Sequence, residues 1–237
     1  MLANIRTILV NTSHPGNIGS AARAMKTMGL KELYLVSPHI YPSKHAEAMA
    51  SNAADVLETA VVVKTLEQAI GECGLVVGTS TRVRTIPWPM LTPKEFAEKA
   101  RDANGNTKVA LIFGNEQTGL TNEELHQCHF HIQIPSNPEY SSLNLAAAVQ
   151  VIAYELYVES IKEDVPKEPW DYEKASGEQM ESFFEHLQRV LIEMEFLKLE
   201  APRQLMPRLR RLFYRAHLDV MEMNILRGIL AGIEKKK

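Results

Sequence analysis

Three polar interruptions of otherwise apolar sequence carry residue types that do chemistry. The first is VNTSHPGNIGSAARAMKTMG, Val10 to Gly29. An apolar run ends at Asn11, glycines follow at Gly16 and Gly19, and Arg23 stands between alanines on the helix expected next. A guanidinium there can reach a phosphate or a ribose; the plainer reading is a solvated surface charge. Neither common glycine fingerprint fits. G-x-G-x-x-G is broken and G-x-x-x-x-G-K-[ST] is absent, so spacing alone favours a structural turn shaped by Asn11, Asn17 and Gly19.

The second stretch is LIFGNEQTGL, Leu111 to Leu120. An apolar strand runs into Gly114, where a missing side chain lets backbone approach a ligand, and then into the carboxylate of Glu116. Ligands of open α/β sheets gather beyond such strand ends. A plain turn before a helix is the alternative. The third is IQIPSNPEYSSLNLAAAVQV, Ile132 to Val151. Its polar loop carries Asn137, Tyr140, Ser141, Ser142 and Asn144, and Ala146, Ala147 and Ala148 then permit close packing against a helix.

Two weaker signals point nowhere. His126, His129 and His131 in HQCHFH lack zinc spacing and a second ligand cluster, so no metal is expected. Ser141 and Ser142 lack the G-x-S-x-G elbow of a hydrolase.

The elements that must position these residues alternate. Thr7–Val10, Leu33–Val36, Leu75–Ser80, Lys108–Phe113 and Phe130–Ile134 are strand-like. Helical patterns cover Asn17–Met28, Leu66–Ile70, Thr92–Ala103, the capping box opening at Thr121, and Leu143–Ser160. Asn17 is the expected N-cap of the first and Gly29 its C-terminal stop. Such alternation predicts an α/β fold, a parallel sheet with helices on both faces.

The composition changes at KEDVPKEPWDY, Lys162 to Tyr172. We divide the chain into a domain at 1–160, a linker at 161–175 and a small all-α extension at 176–237. In the extension a capping box at Ser176 opens a helix whose apolar positions run from Met180 to Leu197. Pro202 and Pro207 are expected to break the chain before helices over Arg208–Ile233. So small a bundle is marginal alone and should dock on the first domain or on a second copy.

The 237 residues are 45% hydrophobic and 23% charged, ordinary for a soluble protein. Two cysteines make no disulfide framework, and a reducing, cytoplasmic setting is expected. No targeting signal or membrane span is visible; the latter needs roughly 20 apolar residues. Net charge is −3, but from Arg203 onward nine basic side chains face three acidic ones, giving this segment +6 and the rest −9. A basic tail on an acidic body suggests an anionic partner. Arg208, Arg211 and Arg215 share one helical face, and Arg82 and Arg84 sit together after the Leu75–Ser80 strand; all five are candidates to contact such a partner.

In order and spacing, the three stretches resemble the motifs of SPOUT-class ribose 2′-O-methyltransferases. The resemblance rests on N-x5-N-I-G-x3-R at Asn11–Arg23, F-G-N-E-x2-G-L at Phe113–Leu120 and I-P-x6-S-L-N-x-A-x-A at Ile134–Ala148. TSTRVRTIPW at Thr79–Trp88 and the helical extension are similar to the TrmJ-type bacterial tRNA methyltransferases, which act on cytidine or uridine at position 32. The resemblance implies a deep C-terminal trefoil knot that binds S-adenosylmethionine. It puts Thr79, Ser80, Thr81, Gly114, Ile134, Ser141, Ser142 and Leu143 at the donor, and Arg23, Glu116, Ser142 and Asn144 at the chemistry. It implies tRNA as partner, a homodimer that Arg23 crosses, and neither metal nor membrane. Another tRNA position, ribosomal RNA, or an inert RNA-binding protein on this fold stay open as alternatives; a nicotinamide enzyme is opposed by the missing G-x-G-x-x-G.

Overall fold

The computed structural model describes residues 1–80, 88–103, 107–162, 172–198 and 204–235. Its strands are β1 (Ile5–Val10), β2 (Glu32–Val36), β3 (Val61–Val63), β4 (Cys73–Thr79), β5 (Met90–Leu91), β6 (Lys108–Phe113) and β7 (Phe130–Ile132). Its helices are α1 (Pro15–Thr27), α2 (Lys44–Ala50), α3 (Ala54–Glu58), α4 (Leu66–Ile70), α5 (Pro93–Asp102), α6 (Asn122–Leu125), α7 (Leu145–Ser160), α8 (Gly177–Glu193), α9 (Leu205–Ala216) and α10 (Val220–Glu234). The sheet runs β3-β2-β1-β6-β4-β7-β5 with every pair parallel. Parallel strands need cover on both faces. Side chains of α1, α5 and α7 pack on one face through Ile18, Met25, Phe96, Val149 and Ile152, and Leu66, Ile70 and Leu125 cover the other.

The α/β alternation expected from the sequence is present, with four additions: β3, β5, α2 and α3. None is long enough to show a period, and the β3 edge exposes Val61 and Val62 where a core strand would hide them.

The first motif also differs from its sequence reading. His14, not Asn17, caps α1: its Nδ1 accepts from Gly16 N at 3.2 Å, and Pro15 takes the first helical position. Asn17 and Gly19 are therefore helical, and only Asn11–His14 is loop. Gly19 is a packing residue; a Cβ there would stand 2.0 Å from the Ala46 carbonyl oxygen on α2. Asn11 does shape the turn, at φ 50°, a left-handed conformation that asparagine tolerates.

The helices α8, α9 and α10 close their own core around Phe183, Phe184 and Tyr214. Pro207 does not break the chain but lies in the first turn of α9, where its missing N–H has no intrahelical acceptor to lose. The linker expected at 161–175 lies outside the described residues at 163–171. Its end belongs with the helices: Ala175 N donates to Leu218 O and Val220 N to Glu173 O, both at 2.9 Å.

This unit docks on its own chain. Glu178 N donates to Gly71 O at 3.2 Å, and Trp88 of the first domain, whose Nε1 donates to Cys128 O at 2.9 Å, packs into the core of the helical unit. The histidine run that resembled a metal site is part of the seam. Rings of His126 and His131 stack on Trp88, and His129 meets Tyr214 edge-on at 4.6 Å. His129 Nδ1 accepts from Val76 N at 3.0 Å, and His217 Nε2 donates to Gly74 O at 3.1 Å.

Burial holds His129 well below the usual histidine range and lowers His217 to about 4. Unfolded, both titrate near ~6.5. The unfolded chain therefore binds more protons between pH ~6.5 and ~4, and stability falls as pH drops through that window. His217 alone accounts for at most about 3 kcal/mol. Thermal melts from pH 7 to 4.5 should show the loss, and His217→Asn, which keeps a donor for Gly74, should flatten the slope.

Candidate active site

The carboxyl ends of β4, β6 and β7 open into a cleft of about 320 Å³. A short loop from each of three chain segments builds it. Thr79 and Ser80 end β4, Gly114 to Leu120 follow β6, and Ile134 and Ser141–Leu143 follow β7. The floor is apolar, from Phe113, Ile132, Ile134, Leu145 and Ala148. The rim is polar. Thr79 Oγ1 is tied to Ile112 O at 3.1 Å and Ser80 N to Ile132 O at 2.9 Å, so the β4 end is fixed by both neighbouring segments.

Gly114 is required by geometry. A Cβ on it would lie 2.2 Å from both Gly119 C and Leu120 N. The loop folds back on itself there, closed by Gly119 N donating to Asn115 O at 2.8 Å, with Gly119 at φ +69°.

Glu116 ties the second motif to the first. One carboxylate oxygen accepts from Ser13 N at 3.0 Å and Ser13 Oγ at 2.9 Å; the other accepts from His14 N at 3.3 Å and Asn17 Nδ2 at 2.9 Å. Burial opposes ionisation, but the donors from Asn17 and Ser13 outweigh it and bring the carboxyl down to about 2. Asn17 Oδ1 then accepts from Asn144 Nδ2 at 3.1 Å, and Asn144 Oδ1 caps α7 by accepting from Ala146 N at 2.9 Å. Asn115 Nδ2 adds a second tie, to Asn11 O at 2.7 Å. A hydrogen-bonded chain thus links all three motifs, Glu116 to Asn17 to Asn144.

The architecture matches that of known proteins. The SpoU rRNA methylase family profile covers residues 4–154, and the profile of the tRNA methyltransferase TrmJ C-terminal domain covers 178–237. The tRNA (cytidine/uridine-2′-O-)-methyltransferase TrmJ of Photorhabdus laumondii is 50% identical over 99% of this chain and 98% of its own. The chain belongs to the TrmJ branch of the SpoU methylases. TrmJ from Z. mobilis superposes with a TM-score of 0.85 at 33% identity, over 98% of this chain and 100% of that one. The fold is also shared with the Streptomyces viridochromogenes SpoU methyltransferase AviRb in complex with AdoMet. That likeness has a TM-score of 0.54 at 23% identity, over 68% of this chain and 62% of that one.

For this TrmJ-family chain, the structure gathers Thr79, Ser80, Gly114, Glu116, Ile134, Ser141, Ser142 and Leu143 around one cleft. Asn144 stands beside it through Asn17. Arg23 is not in the lining. Six residues separate it from Asn17, which on a helix is about 120° round and 9 Å along. Its side chain is exposed and has no hydrogen bond or ion pair among the described residues, so Glu116 does not orient it within one chain. Thr81, Arg82 and Arg84 lie outside the described residues.

On α9, Arg208 and Arg215 are exposed and Arg211 is half-buried. Arg210, one of the nine basic residues of the tail, is committed to packing. It makes two hydrogen bonds to Glu181, at 2.6 and 2.8 Å, and covers the Phe184 ring.

Sequence reading missed Ser13 and Asn115, which hold the loops together. Ser13 is an unspecified position of the first motif and Asn115 a fixed one of the second to which no role was assigned, and only the fold brings their partners from about a hundred residues away.

Proposed function

We propose that the chain transfers the methyl group of S-adenosylmethionine to the ribose 2′-oxygen of cytidine or uridine at position 32 in the tRNA anticodon loop. The cleft built by the second and third motifs, with the first motif hydrogen-bonded to both, carries this reading, in a chain half identical to the Photorhabdus enzyme along its length. The cleft suits the donor. Its apolar floor at Ile132, Ile134, Leu145 and Ala148 fits an adenine, and the close-folded Gly114–Leu120 backbone and Ser80 offer polar groups at the rim. When bound, the donor supplies a methyl already activated by its sulfonium.

The protein's own residues then have to orient the acceptor and tolerate charge on its oxygen. Neither Arg23 nor Glu116 is a good proton acceptor. A guanidinium has no lone pair to offer, and Glu116, down at about 2 with four donors on it, stays ionised and occupied. Arg23 serves as a clamp on the nascent oxyanion or a neighbouring phosphate. Glu116 and Asn144 act as positioning residues that fix the first and third motifs, and Ser142, exposed at the rim, meets the ribose or the donor.

A homodimer completes this picture. Tyr154 and Tyr157 on α7 and Ile161 just beyond it are exposed large side chains, an apolar surface that a second copy would cover, and Arg23 then serves the partner's cleft. A trefoil knot fits the sheet order, since β7 is inserted between β4 and β5 and the chain continues into α7 against α1 and α5. Thr81, Arg82, Arg84, Arg208, Arg211 and Arg215 complete the proposal as donor and RNA contacts. No described helix is long and apolar enough to cross a membrane, and we place the activity in the cytoplasm, with its tRNA.

Incubation with labelled donor and total tRNA, followed by mass-spectrometric mapping, should give a 2′-O-methyl pyrimidine at position 32. A methyl group elsewhere would reassign the substrate, and no donor binding by calorimetry would overturn the reading.

A further inference from the structure

Among the described residues, Tyr140 is the most exposed of the large apolar and aromatic side chains, at 81%. A lone exposed aromatic is ordinary at a protein surface; the setting of this one is what singles it out. It does not hang on a loose loop. Tyr140 N donates to Asn137 O at 2.9 Å, Glu139 N to Asn137 Oδ1 at 3.1 Å, and Ser136 Oγ to Ser141 O at 3.1 Å. The backbone under the ring is therefore a built turn. Its neighbour Ser141 lines the donor cleft and also a second depression of about 530 Å³, bounded by Met90, Gln133, Pro135 and Pro138. Tyr140 thus adjoins a residue shared by the methyl-transfer cleft and a neighbouring, partly apolar hollow.

A ribose 2′-oxygen in a single-stranded loop becomes reachable when its neighbours unstack, and proteins compensate unstacked bases with aromatic faces. We propose that Tyr140 is a stacking platform for the base of a nucleotide next to the methylated one, with the hollow around Met90 and Pro138 accommodating that nucleotide. The inference rests on the tRNA reading above and adds a substrate-binding residue to it.

The test is steady-state methyl transfer to tRNA by full-length Tyr140→Ala, Tyr140→Phe and Tyr140→Trp, with donor affinity by calorimetry and mass by sedimentation. Loss of one stacked base should raise KM for tRNA about tenfold or more in Tyr140→Ala. Donor affinity, kcat and oligomeric mass should stay within about twofold, and both aromatic variants should retain wild-type KM. In the wild type, 2-aminopurine beside the target nucleotide should lose fluorescence on binding, and Tyr140→Ala should abolish that quenching. An unchanged KM in Tyr140→Ala overturns the platform. So does an equal loss in Tyr140→Phe, which would assign the effect to the hydroxyl. A loss carried by donor affinity or by a change in mass overturns it too, since the ring would then belong to the cleft or to a protein interface. If the wild type itself fails to methylate tRNA, the function reading falls instead.

Discussion

Arg23→Ala should lower methyl transfer about 10²–10³-fold, the loss typical of removing one preorganised donor to a developing oxyanion. S-adenosylmethionine should bind it as it binds the wild type, because Arg23 does not line the donor cleft. The fold should hold as well: the side chain is exposed and neighbours no partner whose loss would leave a buried group unpaired. Arg23→Lys decides the role. Lysine keeps the charge but not the planar fork of donors. If the guanidinium clamps, Arg23→Lys recovers only a small part of the rate, and the same fraction at every pH. If the residue takes the proton, the lysine variant should work well with its basic limb moved down in pH. Glu116 adds no limb above about pH 4 in either case, since its carboxyl titrates at about 2. In a dimer that shares its sites, mixing Arg23→Ala with a cleft-dead Gly114→Ala chain should restore activity in the heterodimers.

Gly114→Ala should abolish donor binding. The added carbon would stand 2.2 Å from two backbone atoms, Gly119 C and Leu120 N, and neither can rotate away as a side-chain tip can. Overpacking of this kind costs about 1–3 kcal/mol, and here the cheapest relief is to open the Gly114–Leu120 loop, which is the cleft wall. Calorimetry should show donor affinity reduced beyond detection while circular dichroism keeps the α/β signature, because the sheet itself does not depend on the loop's path. Gly119→Asn is the control. A Cβ at Gly119 meets nothing within 4 Å, so only its φ of +69° matters, and asparagine tolerates that region. Equal losses in the two variants would mean that loop flexibility, not the backbone approach at Gly114, governs the site.

Much of this protein was legible in its sequence. Continuous apolar runs at Lys108–Phe113 and Leu75–Thr79 are what a doubly covered parallel strand requires, and both are strands with the cleft at their carboxyl ends. Capping boxes at Thr92, Thr121 and Ser176 form as local chemistry dictates, since each joins residues three apart; those at Thr65 and Asp219, not picked out in the sequence, follow the same rule. The resemblance carried by the motifs, rather than any one residue's identity, pointed to residues that line the cleft, Gly114, Ile134 and Ser142 among them.

What the sequence left open depended on partners distant along the chain. Asn17 has the composition of an N-cap, yet Pro15 and the His14 ring start the helix two residues earlier and free the amide to bridge Glu116 and Asn144, at separations of 99 and 127 residues. Gly19 looked like loop punctuation; its use is set by the Ala46 carbonyl that crosses it on α2. Arg210 was only one more cation of the basic tail until α8 brought Glu181 and Phe184 against it. The histidine run lacked the spacing of a metal site, but nothing local showed that Trp88 and Tyr214 would pack against it. Local chemistry sets what a segment can do from neighbours a few residues away, so the sequence determined the elements, the caps and the motif chemistry. Which polar groups pair, and which cations stay available, depends on what the sheet order brings together, and that was decided only by the tertiary structure.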